Sequence, residues 1–236
     1  ARKKEPVATF PAHWAPNALM FYTGSMFPAR YKNGAFIAFH GSWNRAPEDQ
    51  AGFNVVFQPL NGDKAAGAYE VFADDQFDAS MATFTIHQWT DLERGLAEMR
   101  RVTRGPVIIL TCDPHLVQRF WLNDYAPEVL ATEARRYPSL SRIRGALGGA
   151  VREDNVPIPR DCTDGFNEAY YGRPERLLDD GARLACSAWS FVSAELRDRY
   201  VDHLRRDLAA GAWDSRYGHL RSTEVYDGSL RLIVAS

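Results

Sequence analysis

The sequence predicts an α/β fold over residues 75–236, preceded by a short β-rich segment over residues 1–74. Three observations predict it. Up to Asp74 the apolar runs are short and cut by proline and glycine, as strands joined by turns are. Beyond Asp75, strand-like runs alternate with amphipathic helical ones, the order of a βαβ unit. The four lysines, Lys3, Lys4, Lys32 and Lys64, all precede residue 65, whereas every later charge of that type is arginine. Such a shift points to two origins for the two segments.

The 236 residues leave room for one large domain or two small ones. Hydrophobic residues at 45% and charged residues at 25% are ordinary globular values and exclude global disorder. A net charge of -2 gives no reason to expect nucleic acid or an anionic membrane as partner. No apolar run approaches membrane-span length, and no charged-then-apolar leader opens the chain. Ala1 stands where an initiator methionine would, which leaves open a leader or a domain upstream. Cys112, Cys162 and Cys186 are odd in number, widely spaced and without a CxxC pair, so neither a disulfide framework nor a zinc site is expected.

In the first segment, "GAFIAFHGSWN" and "FNVVFQPL" are strands, the first apolar on both faces, and "NGD" after Pro59 is a turn. Pro11, Pro16, Gly24 and Pro28 prevent a long helix before them. His40 lies in an apolar strand and reads as a structural histidine. In the second segment, "FDASMATFTIH" is a strand. "TDLERGLAEMRRV" is a helix with Thr90 and Glu93 at capping-box spacing and Leu92, Leu96, Met99 and Val102 as its apolar stripe. "GPVIILTCDP" is a strand buried on both faces. A helix then runs to about Tyr137 and another starts at Ser139 or Ser141. Asp161 and Asp164 either cap a helix beginning at Phe166 or reach into a site. Leu196, Tyr200, Leu204 and Leu208 mark an amphipathic helix, and Asp227-Gly228 a hairpin turn.

Ligands of open α/β sheets bind beyond the carboxyl ends of neighbouring strands. Here those ends are "HQW" and "TCDPH". His87 suits a base or hydrogen-bond partner, Trp89 a stacking surface with Gln88 beside it, and Asp113 an orienting carboxylate. The alternative is that Trp89 packs on the next helix and Asp113 caps a turn.

The words "FDASMATFTIHQWTDLERGLAEMRRV", "VIILTCDP", "RFWLNDYAPE", "VPIPRDCTDGF", "YYGRPERLL" and "LAAGAWDSRYGHL" resemble class I S-adenosylmethionine (SAM)-dependent methyltransferases. The resemblance implies a partial Rossmann-like sheet, strands four to seven of the family, with its last two strands an antiparallel hairpin. It also implies methyl transfer from SAM to a small acceptor by a soluble cytoplasmic enzyme. His87 and Asp113 are then the catalytic candidates and Gln88 and Trp89 line the SAM side. No Gly-rich loop follows a first strand, and Gly145, Gly148 and Gly149 come after a helix, so impaired SAM binding is expected.

"HWAPNALMFYTGSMFPARYKNGAFIAFHGSWNR" resembles instead the late blades of the glucose/sorbosone dehydrogenase family. Those are six-bladed β-propellers that carry pyrroloquinoline quinone (PQQ) and calcium. In that reading residues 1–74 are a propeller-like fragment, and His13, Asn44 and Arg45 face the quinone. The family's earlier blades, with its catalytic histidine and calcium site, have no counterpart. Three readings follow: an impaired methyltransferase-like protein, a PQQ/calcium-dependent sugar dehydrogenase fragment, or a non-functional fusion of the two. In each, the edge of "FDASMATF" needs a cover, which the first segment's strands would supply by pairing or replace by folding separately.

Overall fold

The computed structural model describes residues 6–11, 14, 16–25, 27–40, 53–72 and 74–236. They divide into two compact units, one of Ala1–Ser80 with Trp89–Pro106, the other of Met81–Gln88 with Val107–Ser236. The first therefore takes in residues 75–80 and 89–106 besides the β-rich segment.

In the first unit β1 (Pro16–Phe21), β2 (Ala35–His40), β3 (Phe53–Gln58) and β6 (Glu70–Val71) form one antiparallel sheet in that order. The two-residue strands β4 (Leu60–Asn61) and β5 (Lys64–Ala65) make a small hairpin between β3 and β6. Its turn uses Gly62 at φ 62, the "NGD" signal. Both faces of the large sheet are apolar, because β2 and β3 carry large side chains at successive positions. Ile37, Phe39 and Val56 pack with Phe10, Trp14 and Tyr69 on one side, and Phe36 and Phe57 with Tyr31 and Phe72 on the other. Before β2 the ring of Phe57 lies over Gly34, where a Cβ would come 2.2 Å from Cζ. Strands β1, β2, β3 and β6 make one open sheet, and among the described residues no closed propeller is formed.

Helix α1 (Leu92–Arg101) buries Leu92 and Leu96. Its cap is Asp91 rather than Thr90: Asp91 has extended backbone, and its Oδ1 accepts the Arg94 amide at 3.0 Å. Phe72 and residues 74–78 are stitched to the end of this helix. Arg101 Nη2 donates to the Phe72 carbonyl at 2.9 Å, and its Nη1 reaches Asp74. The Asp75 and Phe77 amides donate to the Arg101 and Val102 carbonyls, both at 2.9 Å, and the Phe72 and Phe77 rings meet at 4.7 Å. Arg101→Ala is expected to cost about 1–2 kcal/mol, discounted for its partial exposure. Urea unfolding of the first unit checks this, and a change within about 0.3 kcal/mol would refute the anchoring role.

The second unit is built on a sheet of order β7-β8-β12-β9. Its strands are β7 (Ser80–Thr83), β8 (Val107–Cys112), β9 (Val151–Asn155) and β12 (Leu230–Ala235). β7 lies parallel to β8, since Ser80 N donates to Pro106 O and Phe84 N to Leu110 O at the same offset. β12 runs antiparallel to both β8 and β9. β7 is shorter than expected: Phe84 turns at φ 50, and residues 86–88 form a 3-10 turn.

Around the sheet lie α2 (Pro114–Val117), α3 (Pro127–Arg136), α4 (Leu140–Leu147), α5 (Asp180–Leu184), α6 (Ala194–Ala209) and α7 (Ala212–Tyr217). The single helix expected before Tyr137 is broken: residues 121–124 form a 3-10 turn, and α3 starts afresh at Pro127, which has no N–H to donate. Ser139 caps α4 by accepting the Arg142 amide at 3.3 Å. Leu204 of the α6 stripe is buried in the main core with Trp121, Leu130, Leu177, Trp189 and Trp213.

The hairpin expected at Asp227-Gly228 does not form. β11 (Val225–Tyr226) pairs with β10 (Ile158–Pro159), while β12 pairs with β8 and β9. The glycine answers a different demand: a Cβ on it would lie 2.7 Å from Glu168 Oε2. The buried Glu168 carboxylate takes the Ser229 amide at 3.0 Å and its hydroxyl at 2.8 Å. The antiparallel partners of the last strand are thus β8 and β9, both far back in the chain. No described helix is long and apolar enough to cross a membrane.

Candidate functional site

The 3-10 turn after β7 brings His87 and Gln88 to a cavity of about 360 Å³ inside the second unit. Phe84 joins them from the same strand end. Helix α3 and the residue after it contribute Glu133, Arg136 and Tyr137. The far wall is Asp164 to Phe166 together with Ala185 to Ala188. The cavity lies beyond the carboxyl end of a parallel strand, as the general rule for open α/β sheets requires.

His87 is half-buried, its ring 4.7 Å from that of Tyr137. Burial, helped by the nearby Arg136 charge, pulls its pKa down to about 4, so the imidazole is neutral at pH 7. Its Nδ1 is buried without a hydrogen-bond partner, and its Nε2 lies 3.5 Å from Gln88 Nε2. A neutral imidazole with a free ring nitrogen can take a proton.

Glu133 is the second polar group of the cavity. Its Oε2 accepts the Asn167 amide at 2.6 Å, and Asn167 Oδ1 in turn accepts the Trp189 indole N–H at 2.9 Å. Burial raises the carboxyl's pKa above the usual range. Arg136 spends part of its guanidinium on Ser187 Oγ at 2.7 Å and on the Phe191 ring, 4.9 Å from its centroid. Burial pushes the Cys186 thiol up to about 12, so it is no nucleophile near neutral pH.

Of the residues singled out in the sequence, His87 and Gln88 come together in this cavity. Asp113 does not join them: it caps α2, accepting the His115 amide at 3.0 Å. Trp89 belongs to the first unit, where its ring covers Gly95 of α1 and a Cβ there would meet Cε3 at 2.4 Å. Asp164 caps no helix, since the turn after Phe166 has no side-chain cap, and it lines the cavity instead. His13, Asn44 and Arg45 lie outside the described residues, as does the His40 side chain. Among the described residues no group of His, Cys, Asp or Glu is placed to hold a metal. Glu133, Arg136 and Tyr137 escaped the sequence reading. Their signal was a carboxylate on the apolar face of α3, three residues after Leu130 and four before Tyr137.

A protein-family model described as TrAA12-like matches residues 1–85. An uncharacterized protein of Borreliella burgdorferi is 58% identical over 36 residues, 15% of this chain, and the match spans 10% of that protein's length. A protein from Anabaena variabilis described as a methyltransferase of an antibiotic biosynthesis pathway superposes with a TM-score of 0.65 at 29% identity. That likeness covers 70% of this chain and 68% of that one. A Haemonchus contortus phosphoethanolamine N-methyltransferase, solved with phosphomonomethylethanolamine and S-adenosylhomocysteine, gives a TM-score of 0.32 at 15% identity. It covers 70% of this chain and 34% of that one, a likeness too slight to argue from. With its mixed sheet of order β7-β8-β12-β9, the α/β part of the chain has a methyltransferase-like fold.

Proposed function

We propose that the chain is a SAM-dependent methyltransferase-like protein for a small acceptor, impaired in its use of SAM. The observation that carries this reading is a neutral, half-buried His87 lining a cavity at the carboxyl end of β7, within a methyltransferase-like sheet. His87 would accept the proton that the acceptor releases, Phe84, Tyr137 and Phe166 would hold its apolar body, and Glu133 would fix its orientation. The residues present do not fit SAM itself. Among the described residues of the second unit β7 is the outermost strand, and no glycine-rich turn follows a strand on that side. Calorimetric titration with SAM is expected to show no micromolar affinity, and micromolar binding would overturn the impairment.

The alternative, a PQQ- and calcium-dependent dehydrogenase fragment, draws on one observation: the open antiparallel sheet β1-β2-β3-β6 has the strand pattern of a single propeller blade. Titration with PQQ plus calcium tests it, and tight quinone binding would favour it over the methyltransferase-like reading. A fusion without activity predicts that neither titration shows heat.

A further inference from the structure

We infer that the acceptor cavity is built for a small amine in its ammonium form, with an apolar body beside the charge. This names a substrate class for the cavity and rests on the acceptor reading above. The walls carry two carboxyl groups, Glu133 and Asp164, against one guanidinium, Arg136. Arg136 is partly occupied already, by Ser187 Oγ and the face of Phe191. A carboxylate or phosphate ligand would therefore meet a cation engaged elsewhere and two groups of its own sign.

The aromatic lining favours a cation as well. The Phe84 and Phe166 rings stand 6.0 Å apart at 33°, and Tyr137 closes the side next to His87. A cation held near such faces is attracted by the ring quadrupoles, most strongly where water is excluded. Glu133 is pre-positioned for the charge, since Asn167, itself held by the Trp189 indole, fixes its Oε2. Burial of that carboxyl disfavours its ionised form more than the Asn167 bond and the Arg136 charge favour it, and a bound ammonium would shift that balance toward the carboxylate. His87, kept neutral by burial and the Arg136 charge, adds no second cation to the wall that would repel the ammonium.

The test is calorimetric titration of the full chain at pH 7 with benzylamine, benzyl alcohol and benzoate, three probes of one shape and different charge. Benzylamine is expected to bind about ten-fold more tightly than the alcohol, with benzoate weakest. Glu133→Gln should remove most of that preference. Asp164→Asn alters an exposed residue, and should reduce the preference about two- to three-fold. Near-UV circular dichroism establishes that each variant is folded, and if the Glu133 variant is not, the Asp164 variant decides alone. A preference for benzoate or the alcohol, no binding of any probe, or an amine preference unchanged in the folded variants would overturn the inference. Because SAM is absent from this titration, amine binding without SAM affinity keeps the inference, while SAM affinity without amine preference sinks it alone.

Discussion

Trp213→Ala is expected to lower the stability of the second unit by about 3–5 kcal/mol. Trp213 is wholly buried in α7, at the centre of the α/β core. Its ring meets that of Trp121 edge-on at 5.4 Å and that of Tyr217 at 5.8 Å, and the Arg221 guanidinium lies 4.9 Å from its centroid. Those neighbours cannot collapse into the space it would leave. The Trp121 indole donates to the Tyr171 carbonyl at 3.0 Å, and Arg221 is held by Glu175 at 2.6 Å and by Asp214. The cavity therefore persists, and its cost adds to the lost transfer energy. The indole nitrogen of Trp213 is buried without a hydrogen-bond partner, so phenylalanine gives up ring area but no bond. Trp213→Phe should then cost less than about 1.5 kcal/mol. Urea unfolding followed by circular dichroism distinguishes the two. Equal losses for both variants would show that the site tolerates no change of shape, against the packing argument.

The sequence made the βαβ order, the break between the helices at Tyr137 and Ser139, and the buried strand "VIILTC" legible, because each is written in local chemistry. Alternation, a proline, a capping serine or an unbroken apolar run is visible wherever it stands. What it concealed depends on residues far apart in the chain. Asp227-Gly228 has the composition of a turn, yet the glycine is required by Glu168, about sixty residues earlier, whose carboxylate lies against it. The seam was legible as a change of style near Asp74, but the first unit also includes α1, tied to Phe72 and Asp74 by Arg101. In the site, His87 and Gln88 were legible as a strand end. Glu133 was not, because a helix outside that strand brings it to the same cavity, and Asp164 was legible only as one of two alternatives, a cap or a site residue. Asp113 shows the converse, a strand-end carboxylate whose acceptor oxygen is spent on a local cap.

Glu168→Gln is expected to reverse the pH dependence of stability in the second unit. Burial raises the Glu168 carboxyl from its ordinary 4.5 to about 7, against the lowering effect of its bonds from Ser229 and of the Arg231 charge. Glu133 opposes its ionisation further, and the Cys112 thiol and Tyr226 hydroxyl beside it stay neutral. Between about pH 4.5 and 7 the native state holds a proton that the unfolded chain has lost. Stability therefore falls as pH rises through that window, by about 3 kcal/mol in all. His87 acts in the opposite sense. Its pKa falls from 6.5 to about 4, so the unfolded chain carries the extra proton and stability rises with pH between those values. Solvent near the ring limits that gain to about 2 kcal/mol. In the wild-type chain the two slopes largely cancel. Replacing Glu168 by glutamine leaves the His87 slope exposed, and the variant should gain on wild type by about 3 kcal/mol from pH 4.5 to 7. It starts from a deficit at low pH, because an amide nitrogen facing the Ser229 N–H cannot accept as the acid's oxygen does. His87→Gln should do the reverse and steepen the fall. Urea midpoints taken across the window for all three proteins settle it. A constant difference between the Glu168 variant and wild type would mean that the carboxyl ionises at the same pH folded and unfolded, and that Ser229 fully offsets its burial.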